Sequence, residues 1–175
     1  MLKAFARLIS FFLLAFFLSA CGNQPAINSD SLAIQIQTLD KRLDTKQAQL
    51  ISKNVLTVSK EIKEEFDPLP LPWFNNFLVN IGLKEKGLCW EYRDALLLKL
   101  KPKVAPLTLL PVVANIDKLN EHNAVVIASK DTKFQDTLLV DLWRKSGEPY
   151  IIKVGDDRKY KWSISFSNAR CVYSD

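Results

Sequence analysis

An α+β domain, with N-terminal helices followed by an antiparallel sheet, is the fold class that this 175-residue sequence predicts. Three observations carry it. Apolar residues recur at steps of three and four from Ile36 to Phe66 and again after Gly87, the period of a helix with one buried face. From His122 onward the chain changes to short segments rich in β-branched and aromatic residues, divided by polar turns. The change happens once, so helices and strands are segregated rather than alternating as in a parallel sheet. With 48% apolar and 25% charged residues, the composition suits one globular domain, placed at residues 31–175.

Residues 1–20 read as a leader. Lys3 and Arg7 are its positive end, and Leu8 to Leu18 is an apolar run shorter than the roughly 20 residues a membrane-spanning helix needs. It closes on Leu18-Ser19-Ala20-Cys21, which resembles the lipobox of bacterial lipoproteins. The resemblance implies cleavage before Cys21 and lipidation of that cysteine, with palmitate-type acyl chains numerous enough for stable attachment. It also implies a periplasm-facing lipoprotein of the cell envelope. Gly22 follows the cysteine where aspartate is the usual inner-membrane mark, which favours the outer membrane. Residues 21–30 are polar, contain Pro25 and read as a tether. Net charge is +5, but Lys3 and Arg7 belong to the leader and the rest is scattered, so nucleic acid is not an expected partner. Glycine-rich phosphate-binding motifs are missing from the sequence.

Ile36, Leu39, Leu43 and Leu50 start the first helical stripe, and Ile51, Val55, Val58, Ile62 and Phe66 continue it. Asp44-Thr45 divides the two helices, with Thr45 expected as the N-cap of the second. Asp67 to Pro72, with three alternating prolines, ends that helix and imposes extended geometry. Trp73 to Ile81 reads as a short helix closed by Gly82, its apolar residues expected in the core. After the polar turn Lys84 to Gly87 comes a central helix beginning at Cys89 and stopped by Pro102. Lys99, Lys101 and Lys103 suit its C-terminal end, where the helix dipole favours cations.

Pro106 and Pro111 interrupt residues 104–120, read as a loop with one short strand. The expected strands are then His122 to Ser129, Thr137 to Trp143, Tyr150 to Val154 and Lys159 to Phe166, with Arg170 to Tyr173 as an edge piece.

Chemistry concentrates at Gly87-Leu88-Cys89-Trp90. A cysteine at a helix N-terminus meets free amides and the positive end of the helix dipole, which favour thiolate over thiol. His122, the only histidine, begins the first of these strands, and Asp141 lies in the next. In neighbouring antiparallel strands His122 and Asp141 fall side by side. A carboxylate among Leu138-Leu139-Val140 and Leu142-Trp143 is costly unless paired, so Asp141 calls for His122 or an arginine. Cys89, His122 and Asp141 thus form a candidate nucleophile, proton carrier and orienting acid. Amides near Cys89 and Trp90 are candidate oxyanion donors, and Trp90 and Trp143 are expected to line the cleft. One histidine and distant cysteines do not make a zinc site, and no cofactor is expected.

Gly87-Leu88-Cys89-Trp90 resembles the Gly-x-Cys-Trp nucleophile motif of transglutaminases. The order of Cys-helix, His-strand and Asp-strand, the last being Leu138-Leu139-Val140-Asp141-Leu142-Trp143, is similar to the bacterial transglutaminase-like cysteine peptidases with their papain-like core. The resemblance spans about residues 73–155. It implies attack on an amide of a peptide or peptidoglycan-related substrate, with hydrolysis or transfer to an amine. One different reading stays open: Cys89 and Cys171 form a structural disulfide in an oxidising compartment, in a non-catalytic lipoprotein used for binding or assembly.

Overall fold

The computed structural model describes residues 27–165. Four helices come first: α1 (Ser29–Leu39), α2 (Thr45–Phe66), α3 (Pro72–Asn80) and α4 (Cys89–Leu100). Five strands follow: β1 (Thr108–Ala114), β2 (His122–Ala128), β3 (Leu138–Asp141), β4 (Tyr150–Lys153) and β5 (Trp162–Ile164). They form one antiparallel sheet in the order β4-β3-β2-β1-β5. The α+β architecture is the expected one.

Local chemistry sets most element ends. Asn28 caps α1 by accepting from the Ser31 amide, so residues 29 and 30 of the expected tether are already helical. Asp44 rather than Thr45 caps α2. Its carboxylate accepts from the Gln47 amide at 2.7 Å, while the Gln47 side chain accepts from the Asp44 amide at 3.1 Å. α2 ends at Asp67 in a left-handed conformation, immediately before Pro68.

The strand at β1 is longer and more central than the prolines suggested, lying between β2 and β5. Pro111 is tolerated because its carbonyl faces β5, accepting from the Ser165 amide, so its missing N–H lies on that side too. No rung toward β2 is lost. Other expected strands are shorter: Trp143 sits in a 3₁₀ turn after β3, Val154 in another after β4, and β5 spans only Trp162–Ile164. The expected pieces at Phe166 and Arg170 to Tyr173 lie outside the described residues.

All seven residues of β2 are buried, because both faces of the sheet are covered. On one face Leu109, Val125, Ile127, Leu138 and Val140 pack with Leu32 and Ile36 of α1, Val55 and Ile62 of α2, and Leu96 and Leu100 of α4. On the other, Val112, Ala124, Val126, Leu139 and Trp162 form a smaller cluster joined by Tyr160 and Phe134. α3 corrects the sequence expectation. Trp73 and Phe77 are 65% and 51% exposed, and the buried residue of the helix is Asn75. Period locates a helical stripe without saying which side of the helix the protein covers.

Candidate functional site

The turn before α4 is held from two directions. Gly87 adopts φ 137, and a Cβ there would stand 1.7 Å from the Asn75 side-chain nitrogen, so both conformation and space demand glycine. Asn75 donates to the Gly87 carbonyl at 3.3 Å. From the other direction, the Glu91 carboxylate accepts from the Gly87 and Leu88 amides at 2.7 and 2.8 Å. α4 therefore opens at Cys89, and the amides of Cys89 and Trp90 have no acceptor inside the helix by virtue of position.

Among the described residues Cys89 has no disulfide partner. Its sulfur lies 3.9 Å from the Glu121 carbonyl and 4.0 Å from the Asn123 side-chain nitrogen. The sulfur also lies close enough to the His122 imidazole to raise its pKa. Sulfur, imidazole and carboxylate come from α4, the first residue of β2 and the last residue of β3.

The β2–β3 register places Val126 opposite Leu139 and Val125 opposite Val140. Continued to the strand ends, it puts His122 diagonal to Asp141 on the face away from the helices. There His122 Nε2 and Asp141 Oδ2 are 2.6 Å apart. Because Nε2 is engaged with the carboxylate, Nδ1 is the ring atom left for the sulfur. Rings of Tyr160, Trp143 and Trp162 surround the imidazole, with centroids at 4.7, 4.9 and 5.4 Å. Cys89 is the most exposed of the three at 8%, against 2% and 1% for His122 and Asp141.

Burial by itself would depress the imidazole pKa, but the Asp141 carboxylate, by charge and hydrogen bond, and then Cys89 outweigh it and push His122 up to about 9. Asp141 shows the converse. Burial would raise its pKa, and His122 with Arg144 together hold it below the usual carboxylate range.

The expectation that Asp141 needs His122 or an arginine is met twice over. The Arg144 backbone amide donates to Asp141 Oδ1 at 3.1 Å and its Nε to Oδ2 at 3.1 Å. Asp157 in turn accepts from the Arg144 guanidinium at 2.8 and 3.3 Å and from the Trp162 indole at 2.8 Å. The Arg144 guanidinium also covers the ring of Tyr150 at 4.2 Å. Sequence reasoning did not name Arg144 or Asp157, which lie in or beside 3₁₀ turns rather than periodic elements. The buried carboxylate was the signal, and Arg144 stands only three residues beyond it.

On the helical face Arg93 of α4 donates to the Asn123 side-chain oxygen at 2.5 Å and to Asp94 at 2.8 Å, locking the helix to β2 one residue past His122. Nothing in the sequence pattern singled out that pair. The two expected cleft tryptophans separate. Trp143 packs on His122 and donates its indole N–H to Asn76 at 2.7 Å, whereas Trp90 is half-buried at the second position of α4. Cys21 and Cys171 lie outside the described residues. Compared with known proteins, the chain matches no family model, no curated protein and no solved structure.

Proposed function

We propose that this protein is a cysteine amidase, peptidase or acyl transferase of transglutaminase-like type, anchored in the bacterial envelope by lipid on Cys21. A single observation carries the reading of the site: a cysteine on the first residue of a helix stands beside His122, whose Nε2 is 2.6 Å from a buried, arginine-held carboxylate. In the proposed cycle the Cys89 thiolate attacks the carbonyl carbon of a peptide or peptidoglycan-linked amide. The tetrahedral oxyanion is met by the amides of Cys89 and Trp90. His122 protonates the leaving nitrogen as the C–N bond breaks, giving a thioester on Cys89 and a released amine. Water or a second amine, deprotonated by His122, then attacks the thioester and restores the thiol, completing hydrolysis or transfer. Asp141 keeps the imidazole in one orientation and stabilises its charged form throughout. The papain-like core belongs to this reading, as does an outer-membrane, periplasm-facing address.

Thiol chemistry tests it. Iodoacetamide at neutral pH, followed by peptide mapping, is expected to label Cys89 in the purified chain without reductant. His122→Ala should slow that labelling on the order of a hundredfold. Equal rates in wild type and variant would remove His122 from the mechanism. A Cys89 that titrates only after reduction would favour the alternative, a non-catalytic lipoprotein stapled by Cys89 and Cys171.

A further inference from the structure

We propose that α3 is a membrane-interface helix, lying with its apolar side in the headgroup region of the bilayer that holds the lipid on Cys21. The inference rests on the lipid-anchor part of the reading above. It adds a second point of membrane contact and a location for the site.

α3 is built inside out. Its sequence, Pro-Trp-Phe-Asn-Asn-Phe-Leu-Val-Asn, contains no charge. The side turned to the protein is polar: Asn75 is buried and bonded to the Gly87 carbonyl, and Asn76 accepts from the Trp143 indole at 2.7 Å. At about 100° per residue, Trp73, Phe77 and Ile81 fall on the opposite side. They are 65%, 51% and 50% exposed, and Leu71 and Leu83 at the ends of the helix are 52% and 74% exposed. A contiguous apolar surface of this kind marks an interaction site rather than ordinary scatter.

Composition and reach select a bilayer as the occupant. Tryptophan and phenylalanine in a helix without charge are what a segment lying in the headgroup boundary carries. From Cys21 to Ile27 is six residues, which span about 20 Å at full extension. The start of α1 is fixed to the middle of α2, where the Ser52 hydroxyl donates to the Ser29 carbonyl at 2.6 Å. α3 lies past the C-terminal end of α2, where Asn75 accepts from the Leu69 amide and Lys84 donates to the Asp67 carbonyl. Ser52 to Phe66 is 14 residues of helix, about 20 Å. Six residues at full extension match the length of α2 from Ser52 to its C-terminal end, so a bilayer holding Cys21 is within reach of α3. Since α3 is bonded to the turn before Cys89 and to Trp143 beside His122, seating it in the headgroups holds the Cys89–His122–Asp141 site near the membrane surface. Its substrate is then an amide presented close to that surface.

The full-length lipidated chain, incorporated into phosphatidylethanolamine–phosphatidylglycerol vesicles with and without brominated acyl chains, tests this. Bromolipid is expected to quench the tryptophan fluorescence of the wild type, and Trp73→Phe should lose most of that quenching, since Trp73 at 65% is the exposed tryptophan among the described residues. Flotation of wild type beside Cys21→Ser reads the anchor separately. Flotation that needs Cys21, with quenching unchanged by Trp73→Phe or missing altogether, overturns the interface helix and leaves a protein partner as the occupant of the patch. A wild-type chain that stays with the soluble fraction overturns anchor and interface helix together, while iodoacetamide labelling of Cys89 still reports on the catalytic reading.

Discussion

The two faces of the sheet are built differently. Toward the helices the contacts are aliphatic and deep, from Leu32 and Ile36 through Val125 and Ile127 to Leu138 and Val140. Away from them the cluster is smaller, and at one end it changes into imidazole, indole, phenol, guanidinium and carboxylate in direct contact. The helical face is where hydrophobic burial holds the fold together. On the other face charged groups have left water, and each is held by the next: His122 by Asp141, Asp141 by Arg144, Arg144 by Asp157, Asp157 by Trp162. A chain of that sort orients groups well and stabilises only while complete.

That difference is open to attack from both sides. The largest effect is expected from Asp141→Ala, which leaves the Arg144 guanidinium and the His122 imidazole buried without their shared anion. About 3–5 kcal/mol of stability should go, and with it the fast alkylation of Cys89. Urea unfolding read beside the alkylation rate checks this, and an unchanged midpoint would mean that the polar end of the sheet is not under electrostatic load. Leu138→Ala, one strand-face away, should cost about 2–5 kcal/mol through a cavity in the helical core. The folded fraction of that variant should still alkylate at the wild-type rate. A slowed rate per folded molecule would show that the faces are not independent.

The smallest effect is the pH response. The His122 pKa rises from 6.5 to about 9 on folding, so its contribution is complete below about pH 6.5 and is lost as pH climbs through 9. Asp141 moves downward, so its contribution holds above the ordinary carboxylate range and disappears only in acid. Stability should therefore decline between roughly pH 6.5 and 9, by a few kcal/mol at most. In His122→Asn that decline should flatten. A wild-type melting temperature that is level across this window would contradict a charged imidazole in the folded protein.

Much of this was legible in the sequence. α2 and α4 follow their period, except that Leu50, expected in the apolar stripe, is 60% exposed, and β2 with its flanking turns lies where the β-branched run places it. The pairing of His122 with Asp141 followed from strand alternation together with the cost of a buried carboxylate. β1 was obscured because a proline in a strand is acceptable or not according to which neighbour its nitrogen faces, a fact of sheet order rather than of local sequence. The outward apolar side of α3 was hidden for a related reason: spacing gives the angle between side chains and not the direction in which the body of the protein lies. Arg144 and Asp157 had no periodic element to announce them.

Gly87 has a consequence that reaches past backbone freedom. With Asn75 pressed against the place where a side chain would begin, α3 and the turn before Cys89 form a single mechanical unit, keyed together without a covalent link. Any larger residue at position 87 must displace the Asn75 side chain and break its bond to the Gly87 carbonyl, or move one of the two segments it joins. A ligand seated at Trp73 and Phe77 is thus connected to Cys89 through one side chain, Asn75, and the turn it holds.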